Sequence, residues 1–332
     1  MIAAAAGGPG RSRPDACSVL WDEAQTSALG SAPAATFWVA LEQNGPWGAR
    51  AATQSHLDPG HGEALDRLCR EASGRFILIR RPGSHADLHD GDPGKIGSRR
   101  LYLAGGLAGR PWLLEADLDD LVCLTRLAQT GLDALAADEI RAVRQLLPEA
   151  RLSTSPVLLI CTNTRRDICC SVRGRPVALQ SASQRPGAVW ECSHTGGHRF
   201  APTGVLLPHG QTFARLTGVS AAAVLESARG GEVPAQLLGA AHDRGRSHLS
   251  APAQAAESVV RHQIQEPGLA ALSTTATPVP GHDHSWRCRV SHLDGRHWDV
   301  EAIRRPAGDA LPESCGKEPV PRWHWDVVID GS

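Results

Sequence analysis

The chain has 332 residues, 42% of them hydrophobic, and a formal net charge of −1 at pH 7. This length allows two domains, and the near-neutral charge without a basic block argues against nucleic acid as a partner. No apolar run reaches the roughly 18 residues of a transmembrane helix, so no membrane association is expected. Residues 1–14 lack the apolar segment of a secretory signal, which predicts a disordered tail and a cytoplasmic protein.

The first half of the chain predicts strands that alternate with helices. Strands are predicted at 36–42, 75–80, 99–104 and 111–116, with helices at 62–72 and near 118–129. Leu65, Leu68 and Cys69 share one face of the first of these helices. The polar segment 84–98 is rich in glycine and proline and is predicted to be a loop.

The second half repeats this order of elements. Strands are predicted at 156–161, 188–193, 203–207 and 211–216, with helices near 175–183 and 219–228. The run 156–161 is continuously apolar, as is typical of a strand buried on both faces. Both halves follow the order strand, helix, three strands, helix. We therefore predict an α/β fold with two thioredoxin-like mixed-sheet sandwiches in tandem, related by a weak internal duplication.

The remainder of the chain predicts a small C-terminal α+β extension. Residues 229–252 are interpreted as a linker, and 305–321 as a loop rich in glycine and proline. A helix is predicted at 253–265, with strands near 285–292, 297–303 and 324–329. The histidines and tryptophans of these strands are interpreted as a hydrophobic seam. A second metal site, or a cover for a redox centre, is the alternative.

The cysteines favour metal or redox chemistry over disulfide bonds. There are nine of them, an odd number in a chain without an export signal. Cys192 is interpreted as a strand residue. The following are expected to be free thiols: Cys17, Cys69, Cys123, Cys288 and Cys315.

Four residues that commonly bind metals follow two predicted strands. Cys161 ends the strand at 156–161, Cys170 follows after eight residues, and His194 and His198 follow the next strand. The carboxyl ends of neighbouring strands converge in an α/β sheet, so we expect these four side chains to meet in one crevice. Two thiolates and two imidazoles suit either zinc or a [2Fe-2S] cluster, and spacing alone does not decide between them.

These motifs resemble those of the sucrase/ferredoxin-like family, a branch of the thioredoxin-like ferredoxins. Members carry a Cys-x8-Cys element that contains Arg-Asp, followed by Ser-His-x-Gly-Gly-His. Here Arg166-Asp167 lies between the two cysteines, and Ser193 begins a complete second element. The resemblance covers about residues 15–220. Asn163 and Thr164 depart from the His and Gly more usual before Arg-Asp, and neither is a ligand position.

The resemblance implies a [2Fe-2S] cluster with the ligands Cys161, Cys170, His194 and His198. Cys169 is a competitor for the second position, but Cys170 keeps the eight-residue spacing. The implied division of the chain has a tail and three further parts. These are 1–14, a degenerate thioredoxin-like scaffold at 15–150, a thioredoxin-like ferredoxin domain at 151–230, and a C-terminal helix with Trp/His-rich strands at 250–332.

The function implied is electron transfer at a potential that is raised by the imidazole ligands and falls as pH rises. No carboxylate pair is placed for glycoside hydrolysis, so sucrase activity is not expected. No nucleotide fingerprint follows a strand, so electrons must come from a separate redox partner protein. Two alternatives remain: a zinc-stabilised binding module with the same four ligands, and a thiol-dependent reductase that uses Cys169 and Cys170.

Overall fold

The computed structural model of the protein describes residues 13–83, 98–127 and 131–330. The predicted tail at 1–14 lies outside the described residues except for its last two positions. The predicted loop at 84–98 lies outside them except for residue 98. None of the helices in the described ranges is both long and apolar enough to cross a membrane.

The described chain folds into helices and strands that we number in chain order. The helices are α1 (Cys17–Glu23), α2 (Pro59–Glu71), α3 (Val122–Arg126), α4 (Leu132–Ala136), α5 (Ile140–Leu146), α6 (Ile168–Gln184), α7 (Gly218–Arg229) and α8 (Ala251–Gln263). The first ten strands are β1 (Trp38–Glu42), β2 (Arg75–Arg80), β3 (Arg99–Gly105), β4 (Trp112–Leu118), β5 (Arg151–Leu152), β6 (Val157–Cys161), β7 (Val189–Cys192), β8 (Gly204–Leu207), β9 (Gln211–Phe213) and β10 (Asp243–Arg246). The last four are β11 (Leu272–Pro278), β12 (Ser285–His292), β13 (His297–Pro306) and β14 (Trp323–Ile329).

The first ten strands form one mixed sheet with the order β10-β9-β8-β6-β7-β2-β1-β3-β4-β5. Within it, β4-β3-β1-β2 and β9-β8-β6-β7 share one pattern, in which β1 and β2, or β6 and β7, are parallel and the other pairs antiparallel. The predicted α/β class is confirmed. The two halves meet through antiparallel pairing of β2 with β7, so a single sheet runs through both.

A buried ion pair spans the junction between the halves. Arg80 on β2 donates two hydrogen bonds to the carboxylate of Glu191 on β7, at 2.6 and 2.8 Å. Thr162 donates a third at 2.9 Å. Both charged side chains are at most 5% exposed, so each carries a charge that the other must balance.

Burial explains the apolar runs of the predicted strands. All five residues of β6 are buried, as the continuous run Val157–Cys161 predicts. One apolar core contains Ile79 of the first half together with Leu159 and Trp190 of the second, so the two halves share this core. Helices α6 and α7 pack together on the opposite face of the second half, around Ile160.

The C-terminal sheet has the order β11-β12-β13-β14, and α8 packs across it. The predicted linker at 229–252 is wrong, because it contains β10, which pairs with β9 at the edge of the large sheet. Arg246 of β10 binds Glu257 of α8 at 2.5 and 2.7 Å. The strand β11 was not predicted.

Two helix predictions are also corrected. The helix predicted near 175–183 begins earlier, at Ile168, because Asp167 caps it by accepting a hydrogen bond from the backbone N–H of Cys169 at 2.8 Å. Pro176 lies inside this helix. Within the helix predicted near 118–129, the structure has the short helix α3, and residues 128–130 lie outside the described residues. Helices α4 and α5, further along the chain, were not predicted.

Candidate metal centre

The two predicted cysteine ligands lie where β6 meets α6. Cys161 ends β6, and Cys170 lies in the first turn of α6, ahead of the helix start that the sequence predicted near residue 175. Both residues are 1% exposed. Helix α6 approaches the strand closely because Gly174 has no side chain, since a Cβ there would lie 2.3 Å from the carbonyl oxygen of Cys161.

The two thiols interact directly, and their proton affinities differ. A hydrogen bond with Cys170 holds the pKa of Cys161 well below its ordinary value, with a further contribution from His194, despite complete burial. The same hydrogen bond and burial raise the pKa of Cys170 well above its ordinary value. Cys161 is therefore the thiol that ionises first, and the thiolate is the form that binds metals.

The two predicted histidine ligands lie opposite this thiol pair. Nδ1 of His194 is 4.0 Å from Sγ of Cys161. The rings of His194 and His198 are stacked, with centroids 5.6 Å apart. Burial lowers the pKa of His198, which favours the neutral imidazole that metals require. Its Nδ1 is buried and has no hydrogen-bond partner among the described residues.

Two glycines position the second histidine. Gly196 and Gly197 have φ angles of 73° and 72°, in the left-handed region that residues with a Cβ rarely adopt. At Gly197 a Cβ would also lie 2.5 Å from the guanidinium of Arg244. His198 then starts a short 3-10 helix that ends at Phe200. The Gly-Gly pair thus turns the chain so that both imidazoles lie on the same side.

The spread of these four donors bears on what they can hold. No three of the four residues place donor atoms within 4.8 Å of one another, in the part of the chain that the structure describes. The two sulfurs and two nitrogens around one tetrahedral zinc ion lie about 3.3–3.8 Å apart, as follows from its bond lengths. The four donors are therefore spread more widely than the ligands of a single tetrahedral ion.

A second group of donors lies beside this one. Cys17, Asp167, Cys169 and Cys315, here called the Cys3Asp group, place one donor atom each within 4.8 Å of one another. Sequence reasoning missed it, because Cys17 and Cys315 were interpreted as free thiols. They are 298 positions apart in the chain, so no local spacing could have indicated their contact.

The side chain of Cys169 points into the Cys3Asp group. Consecutive residues of a helix project about 100° apart, so Cys169 and Cys170 face different neighbours. The sulfur of Cys169 lies 3.6 Å from that of Cys17 and 3.3 Å from that of Cys315. A hydrogen bond with Cys17 lowers the pKa of Cys169 to about 6.

Asp167 links the two groups. Its carboxylate accepts hydrogen bonds of 2.8 Å from the backbone N–H of Cys169, the backbone N–H of Cys315 and the hydroxyl of Ser314. It also lies 3.9 Å from Nε2 of His198. Asp167 thus caps α6 and contacts residues of both groups.

Other cysteines, tryptophans and histidines singled out in the sequence are buried, pack against aromatic rings or bind charged neighbours. Cys192 is a buried residue of β7, as predicted. In the C-terminal sheet, Trp286 and Trp325 pack edge to face with ring centroids 5.3 Å apart. His292 binds Glu266 at 2.9 Å. Among the described residues, the histidines of this sheet form no group of metal donors.

Comparison with known proteins identifies the segment that contains the candidate ligands. A family model described as sucrase/ferredoxin-like matches residues 113–238, from β4 to the turn after α7, and this segment includes all four predicted ligands. The match does not extend over residues 15–112, to which the motif resemblance also pointed. No curated protein and no solved structure matches the chain. This match over residues 113–238 supports membership in the sucrase/ferredoxin-like family.

Proposed function

We propose that this protein transfers electrons by means of a [2Fe-2S] cluster held by Cys161, Cys170, His194 and His198. The observation that carries the proposal is the meeting of a buried thiol pair with a stacked imidazole pair in which Nδ1 of His198 lacks a hydrogen-bond partner among the described residues. A buried polar atom without a partner costs about 1–3 kcal/mol, which a metal bond would remove.

The cluster, when bound, supplies a one-electron change at a potential raised by its neutral imidazole ligands. The chain contributes the rest of the chemistry. Cys161 provides the thiolate, the Gly196-Gly197 turn fixes the position of His198, and burial of the cysteines excludes water. The family match over residues 113–238, which contains all four residues, supports this proposal.

A cleft beside His194 is the proposed docking site of an acidic redox partner. It has a volume of about 580 Å³ and reaches from α2 to the loop after β6. Its lining includes four arginines, namely Arg50, Arg70, Arg75 and Arg166. Two acidic residues, Glu63 and Asp66, also line it, so the excess of positive charge is modest. We expect electron transfer to slow as salt screens these charges.

The zinc-binding alternative uses the same four residues, and its specific support is the Cys2His2 composition. The thiol-reductase alternative requires Cys169 and Cys170 to react with each other. It is less well supported, because Cys169 contacts Cys17 and Cys315 instead.

Anaerobic purification with counts of iron and acid-labile sulfide tests the proposal. We expect about two irons and two sulfides per chain and a red-brown solution. His194→Ala should remove both, whereas the control Cys192→Ser, at a buried strand position, should keep them. A colourless protein that carries zinc in place of iron would exclude the cluster, and a metal-free protein with thiol-reductase activity would favour the third possibility.

A further inference from the structure

The Cys3Asp group joins three distant segments of the chain. Cys17 begins α1, Cys169 lies in the first turn of α6, and Cys315 lies in the loop between β13 and β14. Cys17 is fully buried, Cys169 is 1% exposed and Cys315 is partly exposed. The group is therefore closed except on the side of the loop, where an ion can enter.

The separations of the sulfurs match those around a tetrahedral ion. They are 3.6 Å for Cys17–Cys169, 3.6 Å for Cys17–Cys315 and 3.3 Å for Cys169–Cys315. Zinc–sulfur bonds of about 2.3 Å place sulfurs about 3.8 Å apart in a tetrahedron. Outward shifts of a few tenths of an ångström would complete this geometry.

Asp167 is placed to be the fourth donor. Both of its carboxylate oxygens lie 3.8 Å from Sγ of Cys17, close to the about 3.6 Å that zinc–sulfur and zinc–oxygen bonds imply. Its Oδ1 accepts hydrogen bonds from the backbone N–H of Cys169 at 2.8 Å and from the thiol of Cys17 at 3.8 Å. Zinc would replace the thiol proton, which frees this lone pair of Oδ1 for the metal. Hydrogen bonds from Ser314 and Cys315 hold its Oδ2 in place, as outer partners orient metal ligands.

We infer that Cys17, Cys169, Cys315 and Asp167 form a structural zinc site, separate from the proposed cluster. Three thiolates select a soft or borderline ion, and a carboxylate as fourth ligand favours zinc over copper(I). Four protein donors leave no open position, which is typical of a structural rather than a catalytic site.

The zinc site fastens the C-terminal loop onto the region around His198. Two neighbouring contacts also hold this loop in place. Trp21 of α1 donates a hydrogen bond to the carbonyl oxygen of Pro312 at 2.9 Å, and Arg199 binds Glu313 at 3.0 Å. Loss of the ion should free this loop from α1 and α6, because the metal would no longer join Cys315 to Cys17, Cys169 and Asp167.

Metal counts on the full chain test the inference independently of the cluster. After anaerobic purification and gel filtration with EDTA, we expect about one zinc per chain in addition to iron. Cys315→Ser should lose the zinc and keep the iron. His194→Ala should do the reverse, so a failure of the zinc site and a failure of the proposed cluster are distinguished.

Cys288→Ser is the matched control. Cys288 is a buried cysteine of the C-terminal sheet, and its sulfur contacts the carbonyl oxygen of Pro252 at 3.8 Å. This variant should keep both metals. Absence of zinc from the wild-type protein, or its retention by Cys315→Ser, would overturn the inference.

Zinc X-ray absorption of the wild-type protein covers the case in which a variant fails to fold. We expect three sulfurs at about 2.3 Å and one oxygen. Two sulfurs with two imidazoles would place the zinc at the other four residues and overturn the inference. A mass spectrum in which Cys169 and Cys315 have lost two hydrogens would do the same, since it would show a disulfide in place of the metal site.

Discussion

The two imidazoles of the proposed cluster site make its electron affinity sensitive to pH. An imidazole that binds a metal through one ring nitrogen keeps the other ring nitrogen, which can carry a proton. An added electron favours the protonated imidazole, so reduction takes up a proton and the potential falls as pH rises. The slope approaches about 59 mV per pH unit for one proton per electron.

Voltammetry of the protein between pH 6 and pH 10 measures this slope. A His194→Cys variant that still binds the cluster is the comparison, because it exchanges an imidazole ligand for a thiolate and should show a lower potential with a weaker pH dependence. A wild-type potential that stays constant over this range would contradict proton coupling.

Gly174 is a second position where one residue controls the site. Alanine normally stabilises a helix relative to glycine by about 1 kcal/mol. At Gly174, however, the added Cβ would meet the carbonyl oxygen of Cys161 at 2.3 Å. Overpacking costs about 1–3 kcal/mol and should exceed the helical gain. We expect Gly174→Ala to lower stability and to reduce the iron content, because α6 must move away from β6.

Urea unfolding and iron analysis check the Gly174→Ala prediction. Gly109→Ala is the control, since a Cβ at Gly109 has no atom within 4 Å among the described residues. Equal iron content and stability in the two variants would show that α6 does not depend on close approach to Cys161.

At the scale of elements, the contact between β2 and β7 holds the two halves together. The pair of Arg80 and Glu191 lies in this contact, and Arg80 also lies over the ring of Trp47 at 4.3 Å. Arg80→Met leaves the Glu191 carboxylate buried without its counter-charge. We expect a loss of about 3–5 kcal/mol in the free energy of unfolding.

An exposed ion pair supplies the comparison for Arg80→Met. Arg229 lies 3.8 Å from Glu226, with both side chains more than half exposed. Arg229→Met should cost less than about 1 kcal/mol in the same denaturant titration. Similar losses in the two variants would mean that the junction between the halves does not depend on the buried pair.

The boundaries of elements show what local sequence could and could not predict. The continuous apolar run of β6 was readable because the strand is buried on both faces. Strand β10 was not readable, because its buried residues Asp243, Arg244 and Arg246 are polar and find their partners far along the chain. A local sequence pattern predicts which apolar residues are buried. The burial of paired charges depends on tertiary contacts, which a local pattern does not show.

The candidate sites differ in the same way. The Cys-x8-Cys and Ser-His-x-Gly-Gly-His elements bring their residues together through one strand–helix unit and the adjacent strand, so sequence spacing was informative. The Cys3Asp group requires the C-terminal loop to return to α1. Cys315 and Cys17 therefore lacked any signal in a single sequence.

For the molecule as a whole, two half-buried histidines make stability depend on pH. Burial and the charge of Arg246 lower the pKa values of His209 and His248 to about 4. An unfolded histidine titrates near 6.5, so between pH 6.5 and pH 4 the unfolded chain binds more protons than the folded one. Stability should therefore fall on acidification, by up to about 1.4 kcal/mol per pH unit for each histidine.

Denaturant unfolding at several pH values measures this dependence. His248→Gln should reduce the slope in the window from pH 6.5 to pH 4, because one of the two groups no longer titrates. His61→Gln, at a side chain that is 55% exposed, is the control and should leave the slope unchanged. A slope that is the same in the wild-type protein and in His248→Gln would contradict the assignment.

The shared ligation of one cluster by two cysteines and two histidines is tested most directly by pulsed electron paramagnetic resonance of the reduced, anaerobically purified protein. We expect the signal of a reduced [2Fe-2S] cluster with strong couplings to two histidine nitrogens. Substitution of either His194 or His198 should remove one coupling or the whole cluster. A reduced cluster without nitrogen coupling, or no paramagnetic centre at all, would contradict the central claim.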